Sequence, residues 1–209
     1  MDGRLGIEPL PFLTYNRHMR IVSWNVNGIR AVHRKGLFLP FIKELKPDII
    51  CLQETKAEQY QSEVDLPQYE EYWHSATKKG YGGTAIFSKQ VPLDVRFGIP
   101  KEIVSKYKLA DDGYGDPNEE GRVIAADMGP FFVVSVYTPN SKEDLSRLPL
   151  RHIQWDPAFL AYMQELEKEK IGTIVLNVHT IKPLDEKKIT ELAKKIGAVV
   201  TVEEHQIHG

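Results

Sequence analysis

The chain has 209 residues, about 1.4 domains at roughly 150 residues each, which suits one large domain or a domain plus a fragment and leaves no room for two complete enzymes. Hydrophobic residues at 42% and charged residues at 27% exclude a disordered, collagenous or low-complexity chain. With 27 Lys and Arg against 29 Asp and Glu the formal charge is −2, which excludes a global positive field, so any nucleic-acid surface must be local.

Residues 1–18 carry Asp2, Arg4 and Glu8 among short apolar scraps. They lack the basic and apolar regions of a signal peptide and read as a loosely attached leader, with Met19 as a natural start. Arg20–Val26 is a β-branched run ended by Asn27-Gly28, a strand and a turn. Leu37, Phe38, Phe41, Ile42 and Leu45 recur at helical spacing and stop at Lys46-Pro47. Asp48–Glu54 is the next strand, and strand, helix, strand in so short a span predicts a βαβ unit with parallel strands. The single cysteine, Cys51, lies inside that strand, which excludes an intrachain disulfide and suits a reducing cytoplasm.

From Tyr69 the texture changes to short strands at Tyr69–Ala76, Thr84–Ser88, Leu93–Phe97, Val123–Met128 and Phe131–Tyr137, read as an antiparallel sheet continuing from the parallel pair. Thr77–Gly83 is a glycine-rich hairpin loop, Gly129-Pro130 a tight one, and Asp111–Gly121 the least structured interior segment. Asp156-Pro157 reads as a helix start, with Phe159, Leu160, Met163 and Leu166 on one apolar face of a helix reaching Lys170. A second βαβ unit follows: strand Ile174–Val178, a helix capped by Asp185 and ended by Gly197, and strand Ala198–Val202. No apolar run approaches the roughly 18 residues of a membrane helix, so no membrane partner is expected.

Asn25 and Glu54 fall at the carboxyl ends of adjacent parallel strands, the rim where open α/β sheets bind ligands. One carboxylate beside one carboxamide is the beginning of a Mg²⁺ site, because that hard ion takes oxygen ligands.

The wording around these residues is specific. Ile21-Val22-Ser23-Trp24-Asn25-Val26-Asn27-Gly28-Ile29-Arg30 and Lys46-Pro47-Asp48-Ile49-Ile50-Cys51-Leu52-Gln53-Glu54-Thr55-Lys56, followed in order by Gly80-Tyr81-Gly82-Gly83, Glu120-Gly121-Arg122-Val123 and Tyr137-Thr138-Pro139-Asn140, closely resemble the exonuclease III family of apurinic/apyrimidinic endonucleases. The resemblance runs from about residue 20 to 170 and implies the first half of an α/β sandwich of the endonuclease/exonuclease/phosphatase type, a mixed sheet with flanking helices. It implies Mg²⁺ on Glu54 with support from Asn25, Tyr137 against a scissile phosphate, and duplex DNA contacted by Arg122, Asn140, Tyr81 and Arg30. Each residue also has a plain reading: Tyr137 as a strand aromatic, Arg122 as a turn salt bridge, Asn140 as a turn residue after Pro139.

Where that family continues with Gly-Asp-x-Asn and later Ser-Asp-His, this chain reads Gly172-Thr173-Ile174-Val175-Leu176-Asn177-Val178-His179, with Val175 in the aspartate's place. Residues 171–209, with Asn177-Val178-His179-Thr180-Ile181-Lys182-Pro183-Leu184-Asp185, instead resemble the C-terminal domain of transketolase-type enzymes. The cofactor-binding domains of those enzymes are missing, so neither transketolase activity nor thiamine diphosphate is expected. The expectation is a fusion joined near 170–172, whose grafted βαβ unit packs into the same domain. It should be folded but catalytically defective, with a weak or lost Mg²⁺ site near Glu54, and an incomplete sandwich that a second copy could cover. Glu203-Glu204-His205 offers a carboxylate and a histidine at a strand end, residues equally ordinary as polar strand-end positions.

Overall fold

The computed structural model describes residues 19–169. The leader at 1–18, the βαβ unit expected after Gly172 and Glu203-Glu204-His205 lie outside the described residues.

Among the described residues seven strands form, each within a residue or two of its expected place: β1 (Ile21–Asn25), β2 (Ile49–Gln53), β3 (Glu70–His74), β4 (Thr84–Ser88), β5 (Asp94–Phe97), β6 (Val123–Asp127) and β7 (Phe132–Val136). They do not make one continuous sheet as the sequence suggested. One sheet has the order β1-β2-β4-β3 and the second the order β5-β6-β7. β1 and β2 pair in parallel as expected, Asn25 opposite Gln53, and every other pairing is antiparallel.

Period-two alternation explains the layering. On β2, Ile50 and Leu52 face helices, while Ile49 and Cys51 face the second sheet. On β6, Ile124 and Ala126 meet them from the other side, whereas Val123 and Ala125 turn outward to another pair of helices. A strand apolar on both faces is therefore uniformly buried, as β2, β4 and β6 are. Two polar contacts cross the apolar seam: Gln53 Nε2 donates to Ser135 Oγ at 3.1 Å and Ser135 Oγ to the Leu52 carbonyl at 3.3 Å.

The first sheet is covered by α1 (Ile29–Arg34) and α2 (Phe38–Leu45). Phe38 and Ile42 are the buried residues of α2, Trp24 stacks on Phe38 at 5.8 Å, and Leu37 stays outside. The helix ends where Lys46 turns left-handed before Pro47. The second sheet is covered by α3 (Lys101–Tyr107) and α4 (Asp156–Glu169). α1 and α3 went unread because six and seven residues with one buried position each give no readable period.

Asp156 is not a cap. A π-helical turn over Leu150–Trp155 runs straight into α4, and Asp156 has helical angles of −61° and −43°. The wide turn sits where Pro157 removes a backbone donor and crowds the preceding carbonyls, a usual setting for such a turn. It also rotates the buried stripe to Trp155, Ala158, Tyr162 and Leu166, with Phe159 and Met163 partly buried and Leu160 turned to solvent.

Asp111–Gly121 has neither helix nor strand yet is well fastened. Asp111 Oδ1 accepts from the Gly113 and Gly115 amides at 2.7 and 3.1 Å, and Asn118 Oδ1 accepts from the Ile99 amide at 2.8 Å. No helix among the described residues is long and apolar enough to cross a membrane.

Candidate functional site

Both sheets send residues to one rim. β1 ends in Asn25, Glu54 follows β2, and Tyr137 follows β7. Asn25 Nδ2 donates to Glu54 Oε1 at 2.9 Å, Lys56 Nζ lies 3.0 Å from Glu54 Oε2, and the Tyr137 hydroxyl also bonds the Glu54 side chain. Asn25 is itself held, since its Oδ1 accepts from the Asn27 amide at 3.0 Å. The Lys56 ammonium makes a second hydrogen bond, to Asn27 Oδ1.

The backbone here is unusual. Asn27, Glu54 and Lys56 all have positive φ, at 45°, 52° and 50°, a conformation that costs a non-glycine residue free energy and is held by its surroundings. The hold is visible. The Gly28 amide donates to the Glu54 carbonyl at 2.7 Å and the Ile29 amide to the Thr55 carbonyl at 3.1 Å, while the Thr55 and Lys56 amides donate to Gly83 and Gly82. Gly83 must be glycine, with φ +86° and a space in which a Cβ would collide with Thr55 Oγ1.

Partial burial favours a neutral Glu54, but the donors from Asn25, Lys56 and Tyr137 outweigh it and hold its pKa below the usual carboxylate range. The opposite holds for Tyr137, where burial first and the Glu54 charge second push the phenol well above its ordinary pKa. The pair is therefore a carboxylate accepting from a protonated phenol.

Arg122 does not stand where the sequence reading placed it. Its side chain is 1% exposed and offers no edge to a DNA backbone. Nε and Nη2 lie 2.7 and 2.6 Å from Glu120 Oε2, Nη1 donates to the Tyr137 carbonyl at 2.9 Å, and the guanidinium sits 4.5 Å from the Tyr137 ring centre. Arg122 is thus buried behind Tyr137 and fixes it. The ordinary reading of a turn salt bridge was closer, except that this one is inside the protein. It extends inward: Arg147, also buried, donates to both Asp112 oxygens at 2.8 and 3.2 Å and lies 3.7 Å from Glu120 Oε2.

The other expected residues lie around the rim. Arg30 is exposed and donates to the Lys56 carbonyl at 3.1 Å. Tyr81, half-buried on the loop between β3 and β4, has Lys78 Nζ 5.5 Å from its ring, and Lys78 and Lys79 are exposed beside it. Asn140 is exposed three residues past Tyr137. Lys56, Asn27 and Glu120 were not singled out from the sequence. Their signal was their place inside the quoted motifs, one turn from residues that were.

The Mg²⁺ that the resemblance implies does not fit these side chains as they stand. Among the described residues Glu54 is the single carboxylate here, both of its oxygens accept hydrogen bonds, and Asn25 turns its nitrogen toward it. Among the described residues no three His, Cys, Asp or Glu side chains converge to hold a metal.

Comparison with known proteins agrees with the fold. The chain matches the endonuclease/exonuclease/phosphatase family over residues 22–171 and the transketolase C-terminal domain over residues 157–209, so α4 from Pro157 onward falls within both matches. It is 47% identical over 152 residues to an exodeoxyribonuclease of Bacillus subtilis, covering 73% of this chain and 55% of that protein. It is 40% identical over 159 residues to the DNA repair nuclease APEX1 of Danio rerio, covering 73% and 46%. Among solved structures, the AP endonuclease LMAP from Leishmania major superposes with a TM-score of 0.58 at 27% identity, covering 75% of this chain and 51% of that one. The 3′ phosphatase NExo from Neisseria, bound to a product DNA hairpin, superposes with a TM-score of 0.54 at 28% identity, covering 74% and 55%. The chain spans about half the length of the relatives it matches.

Proposed function

This chain belongs to the endonuclease/exonuclease/phosphatase family, and from that premise we propose that it is a fusion of half a DNA-repair nuclease domain with a transketolase C-terminal segment, which binds duplex DNA at the Glu54–Tyr137 rim and does not cut it. One observation carries the reading: among the described residues the rim holds a single carboxylate, and its charge is already matched by Lys56 at 3.0 Å. Phosphodiester cleavage needs developing charge neutralised and a carboxylate with oxygens available to position or deprotonate water. Glu54 is committed to Asn25, Lys56 and Tyr137. The position where the resemblance expects a second, catalytic acid is Val175, which can neither take a proton nor orient water.

What remains is a surface for phosphates. Arg30, Lys78 and Lys79 are exposed around the rim, Asn140 adds an amide, and Tyr81 and Tyr137 add phenols. Such contacts position a duplex without reading its sequence and need no basic total charge. Arg122 acts at one remove, by fixing Tyr137. Relatives that act on DNA, and a structural neighbour bound to a DNA hairpin, support DNA as the partner.

The open sides of the sandwich support a further part of the proposal. Among the described residues β1 and β7 are sheet edges, and an unpaired edge invites another strand. The grafted segment from about residue 171 packs into the same domain or, failing that, a second copy covers the edges. Light scattering on the full chain separates the two: a clean monomer refutes the dimer.

The decisive assay offers an abasic duplex to the full chain at enzyme excess, beside a full-length family member. The expected result is salt-sensitive binding by fluorescence anisotropy and no nicking above background. Nicking that disappears with EDTA and in Glu54→Gln would overturn the proposal in favour of an active abasic-site endonuclease with a rearranged site.

A further inference from the structure

We infer that Lys56 is the resident counter-ion of Glu54 and that a divalent cation enters this site only by displacing its ammonium. The argument starts from the acceptors. Glu54 Oε2 and Asn27 Oδ1, one carboxylate and one amide oxygen from different segments, converge on a single point, and the Lys56 Nζ fills it. Hard oxygens converging on one point make a cation site whichever cation occupies it, and they are the donor type that Mg²⁺ or Mn²⁺ would seek.

The occupant is built in. Lys56 lies two residues after Glu54, both with positive φ, and the Thr55 between them is fully buried. The Lys56 amide donates to the Gly82 carbonyl at 2.9 Å and its carbonyl accepts from Arg30 at 3.1 Å, so the backbone that carries the ammonium is tied on both sides. Its side chain is 34% exposed, far less than a solvated lysine that strays to a passing acid. The Asn27 backbone is held as well, its N–H donating to Asn25 Oδ1 at 3.0 Å. The pairing has no net charge to attract a doubly charged ion, and the ammonium repels one. At a half-exposed site a few ångströms across, that repulsion is worth about tenfold or more in affinity.

The inference rests on the reading of this rim as the functional site, but its test contains no DNA, so failure of duplex binding and failure of the Lys56 effect are separate results. Mn²⁺ is titrated into the full chain and free Mn²⁺ is followed by electron paramagnetic resonance. Lys56→Met is expected to bind one Mn²⁺ about tenfold or more tighter than the unsubstituted chain. Lys56→Arg, which keeps a cation, should gain nothing, and adding Glu54→Gln to Lys56→Met should remove the gain. The thermal midpoint should rise with Mg²⁺ in Lys56→Met alone. Equal Mn²⁺ affinity in Lys56→Met and the unsubstituted chain, or no binding by either, overturns the inference. So does an equal gain in Lys56→Arg.

Discussion

Removing the Arg122 guanidinium while keeping its bulk, as in Arg122→Met, strips three things at once. Glu120 loses contacts at 2.7 and 2.6 Å, the Tyr137 carbonyl loses its 2.9 Å donor, and the Tyr137 ring loses a cation 4.5 Å from its centre. Glu120 is 5% exposed, so water cannot replace its partner, and the nearest remaining cation is Arg147 at 3.7 Å. Orphaning one member of a buried ion pair costs about 3–5 kcal/mol, a large share of the roughly 5–15 kcal/mol that holds a domain together. A cost of about 4 kcal/mol corresponds to a melting point lower by about 8–16 °C at this chain length. Urea unfolding, followed by tryptophan fluorescence and far-UV circular dichroism, reads the loss directly. Glu120→Met in the same chain removes the orphaned charge, so the double variant should be more stable than Arg122→Met alone by about 2 kcal/mol. A cost below about 1 kcal/mol for Arg122→Met, or a double variant less stable than the single one, refutes the reasoning.

Gly121→Ala should lower stability by about 2 kcal/mol or more by urea titration, because Gly121 has φ +65° and a Cβ there would run into the backbone carbonyl of His74. Tyr137→Phe should leave the fold intact while raising the Glu54 pKa, as followed by NMR, since the carboxylate loses a donor. Burial pushes the Cys51 thiol up to about 12, so it should ignore a thiol reagent in the native chain and react once urea unfolds it. Tyr69, Tyr72, Tyr137 and Tyr162 are all raised, with burial the first cause and Tyr162 reaching about 12. Unfolded tyrosine ionises first, so the tyrosines' contribution to stability should be level below about pH 10 and fall as pH rises beyond it. At the other end, burial lowers the His74 pKa. The unfolded chain then takes up that proton more readily, and the urea midpoint should begin to fall as pH drops below about 6.5.

Much of the fold was legible because β-branched runs and helical spacing are local. Among the described residues the seven strands, α2 and α4 sit where their residues say. The division into two sheets was not legible, since alternation tells which way a side chain points but not which strand lies beside it. Ile124 and Ala126 of β6 look the same whether they meet a helix or, as they do, Ile49 and Cys51. The rim was half legible. Asn25 and Glu54 at the ends of neighbouring parallel strands follow from topology alone. Lys56 as a partner of Glu54 depends on left-handed turns at both positions, and nothing in Glu-Thr-Lys announces them. For Arg122 the resemblance pointed to the DNA backbone and the spacing from Glu120 to a turn salt bridge, and neither carries the burial that places both side chains inside the protein.

Glu169, the last described residue of α4, is gripped by Arg96 of β5 through two bonds of 2.7 and 2.8 Å across 73 positions of sequence. A chain leaves the ribosome amino end first, and every residue needed for this grip has emerged before the stretch beyond residue 171, where the nuclease-family match stops. The clasp can close without knowing what comes next. The last described turn of α4 is thus fastened to β5 entirely by residues of the described domain.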